Sequence, residues 1–157
     1  MKIRSVTPNN RKNEFLVVAR SGATYTFPYA KSDPRPSAED RIEEVFVDKE
    51  LGNEGFTFVL ESGKEGFVHI DQVLEYNGDP KYLADLLTYK LSLEAQHGIE
   101  SSGLSRRQVA KRLRTSLPQL YRLLDPTNTN KSMNQLVALL HILNRDVDVV
   151  VKKKDAA

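Results

Sequence analysis

Residues 104–124 read LSRRQVAKRLRTSLPQLYRLL, and this stretch decides the fold. In it and just beyond, the pattern Ser-x-x-Gln occurs at Ser105/Gln108, Ser116/Gln119 and Ser132/Gln135. Each has the form of a capping box. The serine hydroxyl accepts from the backbone N–H three residues on, and the glutamine reaches back to the serine N–H. The first two helix starts lie so close together that they leave room for two short helices and a tight turn. Across 106–122 the charged residues are Arg106, Arg107, Lys111, Arg112, Arg114 and Arg122, with no acid among them. A compact helical pair of that charge suits a phosphate backbone.

The spacing predicts helices over 105–113, 116–124 and 132–143. Ala110 is small where two helices must approach, and Val109, Leu113, Leu120 and Leu123 supply the seam. At about 100° per residue, Leu117, Leu120, Leu123 and Leu124 share one face of the 116–124 helix. Arg122 lies opposite them, flanked by Pro118 and Asp125, with Gln119 and Tyr121 at the edges. Such a helix fits a major groove, where arginine pairs bidentately with guanine and glutamine with adenine. Ser116, Pro118, Gln119, Tyr121 and Arg122 are therefore the base-reading candidates. Arg106, Arg107, Lys111, Arg112 and Arg114 are the phosphate candidates on the helix pair. Asn128, Asn130, Lys131 and Ser132 join them, because amides, a hydroxyl and a helix N-terminus suit phosphate oxygens.

Plainer readings stand beside each of these. Basic residues favour helices and commonly form a solvated face. Arg122 has Asp125 three residues on as an ion-pair partner, and Gln119 has the capping role. Tyr121 either stacks on sugar or packs at the rim, and the 127–132 loop is also an ordinary polar turn.

The 104–124 stretch, taken with the Asn/Lys loop after it, resembles the helix-turn-helix of Cro and phage-repressor-like (XRE-type) regulators. The resemblance covers roughly residues 80–151. It implies a bundle of four or five helices, a recognition helix at 116–124 and dimeric binding to inverted repeats. One departure is Arg114, in a turn where that family often has glycine. A left-handed conformation there costs a non-glycine residue about 1 kcal/mol.

Upstream, Asn77-Gly78-Asp79-Pro80 marks a boundary, with Asp79 as cap and Pro80 at the first helical position. The helix that follows carries Tyr82, Leu83, Leu86, Leu87, Tyr89, Leu91 and Leu93, with Gly98 as its stop. Its apolar positions run almost all round, which predicts burial on two sides. Downstream, residues 146–151 alternate in part and are β-branched, which predicts a strand. It is expected to pair either with a symmetry mate or with the N-terminal sheet.

The first half reads as short strands. Residues 14–19 and 23–27 flank the loop Arg20-Ser21-Gly22, and 56–60 and 66–70 flank a second turn at 62–65. Residues 42–47 add a strand and 3–6 an edge strand, while two prolines make 31–40 a loop. The expected fold is α+β, with a small antiparallel β domain at 1–77. A repressor-like helical bundle with a C-terminal strand follows at 78–157.

Net charge is +2, and it is unevenly spread. Residues 1–77 hold 10 Lys/Arg against 13 Asp/Glu, and residues 78–157 hold 13 against 8. The asymmetry assigns the polyanion-facing role to the second half. With no cysteine there is no thiol nucleophile, disulfide or cysteine-held metal. His69, His97 and His141 lack ligand spacing. No nucleophile–base–acid set stands out, so neither an enzyme nor a cofactor is expected. No apolar run approaches the ~20 residues of a membrane span, and MKIRSVTPNN lacks a signal peptide's apolar stretch. The expectation is a cytoplasmic homodimer that binds double-stranded DNA as a transcriptional regulator. The alternative is an antitoxin-like interaction module whose β domain binds a protein, with DNA binding secondary or lost. A weaker one gives that domain a small effector.

Overall fold

The computed structural model describes residues 1–154. The fold is α+β, and the chain divides into two compact units, Met1–Leu83 and Ala84–Ala157. The division falls inside a helix rather than at the Asn77-Gly78-Asp79-Pro80 stretch.

The first unit is built on two antiparallel three-stranded meanders. One comprises β1 (Ile3–Asn9), β2 (Glu14–Ala19) and β3 (Thr24–Pro28); the other comprises β4 (Ile42–Val47), β5 (Gly55–Leu60) and β6 (Glu65–His69). Alternation is clearest in β2, β5 and β6, while irregularities between Ile3 and Ser5 and between Ile42 and Glu44 interrupt it in β1 and β4. Phe15 of the first sheet meets Phe56 and Phe58 of the second at ring-centroid distances of 4.9 and 5.2 Å. Ile3, Val17, Leu60 and Val68 complete this core. Phe58 lies opposite Gly66 in the ladder, and a Cβ at Gly66 would overlap the Phe58 ring. Glycine in this strand therefore makes room for the ring that joins the sheets.

Helix α1 (Ile70–Asn77) follows β6 directly and was not legible in the sequence. His69 caps it. Its Nδ1 accepts from the Asp71 N–H at 3.1 Å, and Gln72 Oε1 accepts from the His69 N–H at 2.9 Å. Histidine is not among the usual caps. Gly78, at φ 62°, ends the helix, with the Asp79 N–H donating to Leu74 O and the Gly78 N–H to Glu75 O. This pair of bonds is a Schellman closure.

Helix α2 (Pro80–Ser102) begins as expected, the Tyr82 N–H donating to Asp79 Oδ1 at 2.9 Å. It differs in two respects from the sequence reading. Its buried stripe is Thr88, Ser92, Ala95 and Gly98, small residues at helical spacing, while Leu83, Leu87 and Tyr89 are exposed. Gly98 is no stop. It lies inside the helix, where a Cβ would come within 3.1 Å of Leu143 Cδ1 and Arg145 Nε. The chain turns at Gly103, φ 69°.

Helices α3 (Arg106–Leu113), α4 (Leu117–Leu124) and α5 (Met133–Ile142) complete the second unit. Val109, Ala110, Leu120, Leu123, Leu124, Leu139, Leu140 and Leu143 form its core with Ala95 of α2. Arg145 donates to Glu94 at 2.9 Å, tying the end of α5 to α2. Asn144, φ 57°, closes α5 as Gly78 closes α1: the Arg145 N–H donates to Leu140 O and the Asn144 N–H to His141 O. The strand expected at 146–151 is not formed. Among the described residues this stretch has no β partner, and strand propensity alone cannot satisfy its backbone.

Candidate nucleic-acid interface

The 105 start is a complete capping box. The Gln108 N–H donates to Ser105 Oγ at 3.2 Å, and the Ser105 N–H donates to Gln108 Oε1 at 2.8 Å. Arg114 then takes the left-handed conformation, φ 57°. Its N–H donates to Lys111 O and the Thr115 N–H to Ala110 O, the same closure found at Gly78. The tight turn expected between the two helices is thus present, with arginine in the glycine position.

Ser116 and Ser132 cap α4 and α5 through their hydroxyls, accepting from the Gln119 and Gln135 N–H groups at 3.2 and 3.4 Å. The reciprocal half of the expected capping box is missing at both Ser116 and Ser132. The Gln119 amide instead donates to Gln135 Oε1 at 3.5 Å, linking the starts of α4 and α5. Gln119 is half-buried and makes this link with its side-chain amide.

Helix α4 has a fully apolar back, Leu120, Leu123 and Leu124, and an exposed front of Pro118, Tyr121 and Arg122. Its far end is held by side chains from elsewhere. Lys131 Nζ donates to Leu123 O at 2.9 Å, Asp125 O at 2.6 Å and Ser92 Oγ at 2.7 Å. Gln96 Nε2 donates to Leu124 O at 2.7 Å. Last-turn carbonyls lack intrahelical partners, and a cation there also suits the helix dipole. The ammonium of Lys131, one of the phosphate candidates, thus has three acceptors within the protein and clamps the end of α4. Burial pulls its ammonium below the usual lysine range, with Asp125 opposing. No sequence signal marked Gln96.

Arg122 makes no ion pair with Asp125 among the described residues. Asp125 accepts from the Thr127 hydroxyl at 2.7 Å and the Thr127 N–H at 3.0 Å, and these bonds hold its carboxyl below the ordinary 3.8. Arg106 stacks over Tyr121, its guanidinium carbon 5.2 Å from the ring centroid. One face of the tyrosine is thereby covered by the start of α3.

The remaining cations separate into two groups. At about 100° per residue Arg107 and Lys111 share a flank of α3. Arg112 turns away from them and lines a groove with Ser101, Ser102, Leu143, Asn144 and Arg145. Arg107, Lys111, Arg112 and Arg114 are all exposed. In the loop after α4, Asn128 is half-buried, and its side-chain oxygen accepts from the Asn130 N–H at 3.1 Å. Asn130 and Ser132 are exposed.

Two side-chain contacts thus link α4 to its neighbours, Arg106 at the start of α3 to Tyr121 in mid-helix, and Gln119 to Gln135 at the start of α5. Around α4 they gather Arg106, Ser116, Pro118, Tyr121, Arg122 and Ser132. Among the described residues no group of three His, Cys, Asp or Glu is placed to hold a metal, and no helix is long and apolar enough to cross a membrane. No protein-family model matches the chain, and neither a curated protein nor a solved structure does.

Proposed function

We propose that the chain is a sequence-specific DNA-binding protein, a cytoplasmic transcriptional regulator that works as a dimer and performs no catalysis. The observation that carries this reading is the state of α4. Its back is buried and its last carbonyls are clamped by Lys131 and Gln96, yet Pro118, Tyr121 and Arg122 face outward. A rigid, exposed helix presenting an arginine that is not paired to Asp125 supports major-groove reading, with Arg122 as the base reader. Arg107, Lys111 and Arg114 supply phosphate contacts beside it, and the start of α5 with Ser132 adds a backbone N–H cluster. Divided at the observed boundary, the charge stays asymmetric: 12 Lys/Arg against 7 Asp/Glu from residue 84 onward.

The test is fluorescence anisotropy on duplex DNA of varied sequence at several salt concentrations. Binding should fall with salt at a log–log slope of roughly 0.9 per phosphate neutralised. Arg122→Ala should flatten sequence preference, costing about 1–3 kcal/mol on the best site and little elsewhere. Arg107→Ala with Lys111→Ala should weaken every sequence alike. Absence of salt-sensitive binding by folded protein would refute the reading.

One observation favours a second reading, a protein-binding role for the β unit. Phe46 and Phe67 flank Thr57 in one row of the second sheet, and both rings are exposed. Glu44 and Glu65 flank Val59 in the next row. Aromatic rings bordered by acids suit a basic protein partner. Retention of such a partner after Phe46→Ala and Phe67→Ala would argue against this face.

A further inference from the structure

Beyond α5 the chain reads Arg145-Asp146-Val147-Asp148-Val149-Val150-Val151-Lys152-Lys153-Lys154. Val149, Val150 and Val151 are 77%, 74% and 90% exposed. Three consecutive β-branched residues without a β partner, the Val149 N–H donating only to Asp148 Oδ1 at 2.8 Å, are a template for strand pairing. Val147 behaves differently. It packs against the α3–α5 core, so the segment leaves the bundle from an anchored point.

Successive side chains of an extended chain point to opposite faces. Val147, Val149, Val151 and Lys153 therefore share one face, and Asp146, Asp148, Val150, Lys152 and Lys154 share the other. The charges are ordered, acids before Val150 and bases after it. Set against an antiparallel copy of itself with Val150 opposite Val150, the segment is self-complementary. Asp148 faces Lys152, Asp146 faces Lys154, and Val149 faces Val151; symmetry repeats each pair. Sliding the register toward lower numbers by one or two residues sets Asp148 opposite a valine. Sliding it the other way carries Asp146 beyond Lys154.

We propose that residues 146–154 pair antiparallel with the same segment of a second copy of this chain, in the register centred on Val150. The product is a two-fold symmetric ribbon with one face of valines flanked by Lys153, which lies opposite Val147, and one face of Asp–Lys pairs about the central Val150. A lone two-stranded ribbon is marginal in water, so the valine face must pack. The groove beside Val147, lined by Val137, Ala138 and His141, adjoins it. The proposal concerns the free protein and stands whether or not the chain binds DNA.

The chain has no cysteine, so single replacements report cleanly. Facing Cβ atoms in such a pair lie about 4.5–5.5 Å apart, close enough for a disulfide after small adjustment. Under mild oxidation of the full chain, Val150→Cys should give covalent dimer in several-fold higher yield than Val149→Cys or Val151→Cys alone. Mixing the latter two should restore the yield. Asp148→Lys should raise the dimer dissociation constant by roughly tenfold. Adding Lys152→Asp to the same chain should bring it back to within about threefold. Circular dichroism confirms that each variant keeps its helices. A monomer at all concentrations by sedimentation, equal cross-linking at the three positions, or no rescue by the double reversal would each overturn the proposal.

Discussion

Lys131 and Arg114 are both cations beside the proposed recognition helix, yet their surroundings give them opposite duties. Lys131 meets two carbonyls and a hydroxyl, all within 2.9 Å. Lys131→Met keeps most of the volume and leaves those acceptors unmet, so it should cost about 2 kcal/mol in denaturant unfolding. The salt slope of DNA binding should not change. Arg114 shows the reverse. Glycine accepts its φ of 57° without the Cβ penalty, so Arg114→Gly should stabilise the fold by up to about 1 kcal/mol. The same change should reduce the salt slope by about 0.9, if the guanidinium meets a phosphate. A stability gain together with a binding loss is the outcome expected of a strained residue retained for contact. The sequence marked Arg114 by its place in the turn, but nothing marked Lys131 as a clamp, because its hydroxyl acceptor, Ser92, lies 39 residues back on α2.

Among elements, the sequence disclosed what was local. The serine caps, the Leu117/Leu120/Leu123/Leu124 stripe and the hairpins around Gly22 and 62–65 are nearest-neighbour patterns, and they stand in the structure where they were expected. Three features were hidden because their causes are distant or unusual. Helix α1 starts from a histidine cap, the buried side of α2 is its small residues, and residues 146–151 stay unpaired within one chain. Two carboxylates secure loops and give a pH dependence. Asp40 is lowered by the Ser62 hydroxyl and N–H, Asp125 by those of Thr127. A depressed carboxyl lends stability that is fully present above its unfolded value and is lost as pH falls through the folded one. Below the ordinary 3.8, the Ser62 and Thr127 amide resonances should therefore shift together with loss of these two bonds. Amides that report no change down to complete unfolding would contradict this.

For the whole molecule, composition and charge already separated two halves, but they put the boundary ahead of α2. The structure puts it after Leu83, inside a continuous helix. Each unit has its own core, one aromatic and one rich in leucine. Phe58→Ala removes the ring shared by both sheets and should cost the first unit about 3–5 kcal/mol. Amide spectra should show the loss concentrated in β1–β6, with α3–α5 retaining their dispersion. Loss of both sets of signals at the same denaturant concentration would show instead that the two cores melt as one.

Among the described residues the same helix closure occurs three times, with Gly78, Arg114 and Asn144 at its left-handed position. Glycine occupies that conformation freely, asparagine with modest difficulty and arginine least readily. The chain thus holds its own calibration series. Hydrogen exchange at the closing amides should run fastest after α3, slower after α5 and slowest after α1. The most strained joint in this series therefore stands just before α4, a helix whose other end is held by Lys131 and Gln96. Local opening of α4 is thus expected to begin at its first turn and to stop short of the leucines buried behind it.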